Sequence, residues 1–270
     1  HDTTWGGHGT WVASVAAGNG LATGDFKGIA PKADIIAVAI NPNVLDYQFP
    51  EVNLLRIVDG VDYIFKKADD LGKPCVINIS LGGQSGSHDG KDLAAQLIDN
   101  LLEEKNGRAL VTSAGNQGQQ KFHLGYNVTA DTAFTWFRLM HSEEDICTRD
   151  SGVYFTIWAD QADFDNVQFA IGADRVSPCC SHRGATSFST ISGRVGQFVY
   201  DTLRNSSGDI IGIVESFGEL AEGVYALHFS IQTDSADYLW RLMTTGSGRF
   251  DLWSRPLVYG TCTSGTVSYT

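Results

Sequence analysis

Basic residues are scarce in this chain, and lysine stops early. Its 270 residues hold 19 Lys or Arg against 31 Asp or Glu, a net charge of −12. All eight lysines lie at or before Lys121. With no basic cluster to neutralise phosphates, the composition argues against a nucleic-acid partner, and acidity otherwise speaks mainly of solubility. A long apolar run is missing as well. The longest apolar stretches are strand-sized, so no membrane-spanning segment is expected. Cysteines number five, an odd count without any C-x-x-C spacing, so no metal, cofactor or redox chemistry is assigned. Cys75 stands before an apolar run and reads as a free core thiol. Any disulfide among Cys147, Cys179, Cys180 and Cys262 is left open. His141 beside Glu143, Glu144 and Asp145 reads as a solvated acidic turn rather than a metal site.

What is present divides near residue 122. A hydrophobic content of 43% suffices for packed cores, and the length is comfortable for two domains. Before the break, Ala33–Ile40, Cys75–Leu81 and Arg108–Ser113 are near-continuous apolar runs, the pattern of buried parallel strands. Between them Leu55, Val58, Val61, Phe65 and Ala68 recur at helical spacing, as do Leu93, Leu97, Leu101 and Leu102. Strand alternating with helix predicts an α/β fold with a doubly wound parallel sheet. Functional sites in such sheets collect at the carboxyl ends of the strands.

Beyond the break the character changes: 21 of the 29 aromatic residues fall between Phe122 and Gly260. Strands are predicted at Val153–Ala159, Val167–Ile171, Val195–Tyr200, Ile210–Val214, Tyr225–Thr233, Tyr238–Thr244 and Arg249–Trp253. Turn-forming separators such as Asn205-Ser206-Ser207-Gly208-Asp209 and Glu222-Gly223 stand between them. Short strands without helices point to an antiparallel β-sandwich. Trp158, Trp240 and Trp253 read as core aromatics before they read as a glycan platform.

Four motifs then occur in order. His8-Gly9-Thr10 leads Val12-Ala13 and Ala16-Ala17-Gly18, and reads as a histidine at the first turn of a small-residue helix able to pack tightly on a sheet. Histidine is the default general base near neutrality. Gly28-Ile29-Ala30-Pro31, Val76-Ile77-Asn78-Ile79-Ser80-Leu81-Gly82-Gly83 and Val111-Thr112-Ser113-Ala114-Gly115-Asn116 follow. The ordered set resembles the subtilisin-like serine proteases, the subtilases, over roughly the first 120 residues. That resemblance implies catalytic roles for His8 as the triad histidine and Asn116 as the oxyanion-hole amide. It implies that Ser80, Leu81, Gly82 and Gly83 pair with substrate backbone and form one wall of the S1 pocket. Ala114 and Gly115 would form the other wall.

The remaining triad members have no matching motif. Asp2 is too near His8 in sequence to serve as the family's aspartate, and no G-T-S-x-A-x-P stretch supplies a nucleophile. Ser187, in Gly184-Ala185-Thr186-Ser187, lacks the following Ala and Pro and reads as a strand or loop residue. Ser264 has its glycine on the wrong side. The chain, which opens on His1, is therefore expected to be an internal piece of a longer serine endopeptidase and inactive by itself. Residues 1–121 would be a partial catalytic domain, 122–261 an inserted β-sandwich or jelly-roll-like unit, and 262–270 the return toward the protease core. The resemblance further implies a polypeptide substrate and a secreted or cell-surface location, with the partner of the β unit unspecified. The alternative is a non-catalytic subtilase-like protein whose β unit binds protein or carbohydrate.

Overall fold

Of Leu55, Val58, Val61, Phe65 and Ala68, which recur at helical spacing, α2 (Pro50–Asp70) buries the last four and leaves Leu55 39% exposed. The computed structural model describes residues 7–22, 24–40, 50–82, 86–116, 118, 122–129, 131–140, 152–175, 181–233, 238–254 and 266–267. Ahead of α2 stands α1 (His8–Ala17), and after it come β1 (Cys75–Ile79), α3 (Leu93–Glu103) and β2 (Arg108–Thr112). The Asp92 carboxylate caps α3 by accepting from the Ala95 N–H at 2.9 Å. β1 and β2 pair in parallel, Cys75 opposite Arg108 through Ile79 opposite Thr112.

Because side chains alternate along a strand, only one face of this pair meets the helices. Val61 and Phe65 pack on Ile77, with Ile79, Leu101, Leu102 and Leu110 around them. Arg108 fastens the layer: it donates to Asp69 at 2.8 Å and Glu104 at 2.9 Å and lies over the Phe65 ring at 4.8 Å. The opposite face leaves Val76 71% and Val111 53% exposed, where the apolar runs predicted burial on both sides. Ala33–Ile40 departs further from expectation. It forms no strand, because extended apolar backbone needs a ladder partner and the described residues supply none. The segment is held instead by the ion pair of Asp34 with Lys73 and by Val38 lying against Gly60. Cys75 is a free, half-buried thiol, and burial pushes its titration up, away from the reactive thiolate.

The ladders between the remaining named strands are antiparallel. These strands are β3 (His123–Val128), β4 (Ala133–Met140), β5 (Gly152–Asp160), β6 (Val167–Arg175), β7 (His182–Ala185), β8 (Phe198–Arg204), β9 (Ile210–Ala221), β10 (Val224–Thr233), β11 (Tyr238–Gly246), β12 (Gly248–Ser254) and β13 (Thr266–Val267). A one-turn helix α4 (Gln161–Phe164) interrupts them. One sheet runs β3-β12-β5-β10-β9-β8 and the other β13-β4-β11-β6-β7. Glu222 and Gly223 both take positive φ, 50° and 80°, which is the geometry a two-residue hairpin between β9 and β10 requires. The two sheets share one apolar core. Phe155, Leu227 and Phe229 come from the first sheet and Phe169, Trp240 and Leu242 from the second. Phe229 meets Phe169 edge to face across it at 5.3 Å. Of the three tryptophans expected in the core, Trp240 is 1% exposed and belongs to it, Trp158 is buried outside this cluster, and Trp253 is only half-buried.

Strand β8 begins later than its sequence pattern suggests. Val195 to Gln197 follow a 3₁₀ turn (Ile191–Arg194), and Gly196 at φ +73° turns the chain before the ladder starts. That turn buries Arg194, which donates to Ser189 Oγ and Asp201 Oδ2 at 2.7 Å each and also bonds Ser216 Oγ. At the far end of β8, Gly184 of β7 lies so close to the Arg204 carbonyl that a Cβ there would sit 2.2 Å from its oxygen. A side chain cannot enter, so glycine is what lets the two sheets meet along this seam.

His228 on β10 gives the fold an acid-side weakness. Its Nδ1 lies 3.2 Å from Thr156 Oγ1, and the ring is buried. Burial pushes its titration below the ordinary 6.5, outweighing the opposing pull of Glu219. Because the unfolded chain then binds the proton more readily, stability is full above about pH 6.5 and declines as pH falls below it. Thermal unfolding from pH 7.5 to 5 should therefore show a steeper acid loss in the wild type than in His228→Gln. Parallel curves would deny His228 this role.

Candidate active site at the ends of the parallel strands

The two motifs read as walls of one pocket leave β1 and β2 at their carboxyl ends, the side where α/β sheets place their sites. Parallel register brings them together: the Ser113 N–H donates to the Ile79 carbonyl at 3.2 Å. The Ser113 hydroxyl donates to the Leu81 carbonyl at 2.9 Å, strapping one wall to the other. Gly82 and Gly115 face each other so closely that a Cβ on Gly82 would lie 3.8 Å from the Gly115 Cα. Ser80 Oγ accepts from Asn78 Nδ2 at 2.9 Å, which turns the chain outward after the strand. Leu81, Gly82, Ala114 and Gly115 are exposed, and Ser80 is half-buried. Gly115 takes φ +88°, and exposed Asn116 follows it at the same end of the strands. Gly83 lies outside the described residues. The Ser113 strap went unread in the sequence, because its partner stands in another strand and only the fold sets them side by side.

His8 occupies the first position of α1, exposed, after Gly7 in the left-handed region at φ +82°. The small residues of this helix do not pack it on the sheet: α1 buries none of its residues, and Trp11 is 71% exposed. Their close contact is with the second motif. Gly28 donates to the Gly18 carbonyl at 2.8 Å, Ile29 to Val15 at 3.1 Å and Ala30 to Ala16 at 2.8 Å. A Cβ on Gly28 would lie 2.6 Å from the Gly18 nitrogen, so this approach excludes any other residue. The helix-closing Ala16-Ala17-Gly18 and the Gly28-Ile29-Ala30 stretch are thus two halves of one turn that fixes the helix behind His8.

Ser187 sits in an exposed segment after β7. Its neighbours serve the ladder: the Thr186 N–H donates to Ile171, Thr186 Oγ1 accepts from Ile171, and Ser189 pairs with Phe169. Asp2, Ser264, the acidic group around His141 and Cys147, Cys179, Cys180 and Cys262 lie outside the described residues. No helix among the described residues is long and apolar enough to cross a membrane.

Among solved structures, the chain is similar to the CspB protease of Clostridium perfringens. The likeness has a TM-score of 0.68 at 19% identity, covering 97% of this chain and 50% of that one. At that identity the likeness speaks for the fold, and the chain spans half the length of its neighbour. The family model of the subtilases matches residues 1–199, most of the sequence and all four motifs. The chain belongs to the subtilase family of serine proteases.

Proposed function

We propose that this chain carries the general base and the oxyanion donor of a subtilisin-type serine endopeptidase acting on polypeptide substrates. The observation that supports it most is the pairing of Ser80-Leu81-Gly82 with Ser113-Ala114-Gly115 at the carboxyl ends of parallel strands, with Asn116 next in line. An extended peptide laid along such a wall offers its carbonyl to the mouth where Asn116 stands. His8 takes the proton of a serine hydroxyl as that oxygen attacks the carbonyl carbon. The Asn116 amide donates to the oxygen as it gains charge, and an aspartate orients His8. The serine and aspartate are proposed to come from polypeptide beyond these residues, since no motif here supplies them.

In the same reading, residues 1–121 are part of the catalytic domain, 122–261 an inserted β unit and 262–270 the return. Two features favour the insertion: the parallel pair shares no ladder with either antiparallel sheet among the described residues, and those sheets own their core. A secreted or cell-surface setting is part of the proposal, by family likeness alone.

A fluorophosphonate probe tests it. This chain by itself should take no label and cleave no peptide, while the full-length protein should be labelled at a serine outside these residues. Label on Ser187 would overturn the division of the triad. A full-length protein that takes no label would favour instead a non-catalytic subtilase whose β unit binds protein or carbohydrate.

A further inference from the structure

Trp253 of β12 is held between two imidazoles. Its ring centroid lies 3.6 Å from that of His88 at an interplanar angle of 17°, and 4.1 Å from that of His123 at 23°. Two rings stacked this close cannot share one face, so the indole is sandwiched. Its N–H is buried without an acceptor, which leaves the ring faces to hold it. His123 is fixed beneath: it is the ladder partner of Trp253, and its Nε2 lies 2.8 Å from Asp251 Oδ1, a carboxylate that Arg249 also reaches at 3.2 Å.

His88 comes from the other part of the molecule. It sits in the described segment 86–92, which begins four positions after Gly82 and runs into the cap of α3. His88 takes φ +58°, a left-handed conformation that costs a non-glycine residue energy and needs a compensating contact. The stack on Trp253 is such a contact. A second tether lies beside it, where Lys91 Nζ meets Asp160 Oδ1 at the end of β5 at 3.0 Å. Inside the segment, buried Ser87 accepts from the Lys91 N–H at 3.2 Å and bonds the cap residue Asp92, so its shape is internally braced.

We infer that Trp253 is a positioning residue for substrate: the antiparallel sheets, gripping His88 through Trp253, hold the braced residues 87–92 close in sequence to the Ser80–Gly82 stretch and so steady substrate bound there. Trp253 touches no reacting atom in this scheme and acts through His88. The inference rests on the protease reading for its substrate, and on geometry alone for its grip.

The test uses the full-length protein and two readouts. In His88→Asn, which keeps a residue tolerant of the left-handed region but removes the stacked ring, the Ser87 and Lys91 amides should exchange hydrogen on the order of tenfold faster. The β9–β10 amides should keep their wild-type rates. With a peptide p-nitroanilide, KM should rise several-fold at unchanged kcat, the mark of lost ground-state binding. Trp253→Ala should reproduce both effects, and Trp253→Phe, which retains a stacking ring, should restore them. Unchanged exchange at Ser87 and Lys91, or a KM that stays put while exchange accelerates, would overturn the inference. A wild-type protein that cleaves no peptide would overturn the protease reading, whereas the grip is decided by the exchange rates alone.

Discussion

In the full-length protein, His8→Ala should lower kcat by about a millionfold, the scale that subtilisin sets for loss of its triad histidine rather than one read from this chain. In the proposed mechanism the serine hydroxyl then keeps its proton, and what survives is the stabilisation that the binding walls and the oxyanion donor would give. Stability should hardly change. His8 is exposed, and α1 buries none of its residues, so the substitution opens no cavity. Steady-state kinetics together with thermal unfolding separate the two effects. A variant that unfolds like a core deletion, with a loss of about 2–5 kcal/mol, would return His8 to a structural part.

Asn116→Ala should act on one step only. Turnover is expected to fall by roughly 10²–10³, again the magnitude known for subtilisin, while KM stays near its wild-type value. The reason is timing. In the proposed mechanism the amide has a full partner only when the carbonyl oxygen carries charge, so its loss would be felt in the transition state and not in the bound substrate. Asn116 is exposed after a glycine in the left-handed region, which makes a simple turn-former the competing reading. Intact turnover, or a loss confined to KM, would favour that reading.

The parts legible in the sequence were those set by nearest neighbours. Val58, Val61, Phe65 and Ala68 mark one face of a helix whatever surrounds it. Glu222-Gly223 specifies a tight hairpin by backbone freedom alone. The carboxyl-end position of Leu81, Gly82, Gly115 and Asn116 followed from the strands that precede them. Illegible parts depended on a partner. Ala33–Ile40 has the residues of a strand and no ladder to join. β7 reads His-Arg-Gly-Ala, which no propensity favours, and exists because β6 pairs with it. β3 alternates Leu124, Tyr126 and Val128 inward, but His123 and Gly125 blur the pattern. Small residues in α1 suggested a sheet contact, whereas their tight neighbour is Gly28, ten positions past the helix-closing Gly18.

The seam at Gly184 has a consequence for the life of the protein outside its active site. β8 ends the six-stranded sheet, and a terminal strand is a template onto which another chain can add its own backbone. Because Gly184 brings β7 against the Arg204 carbonyl, part of that border is occupied from within. A side chain at position 184 would push β7 off the Arg204 carbonyl and leave that stretch of the border open to a foreign strand.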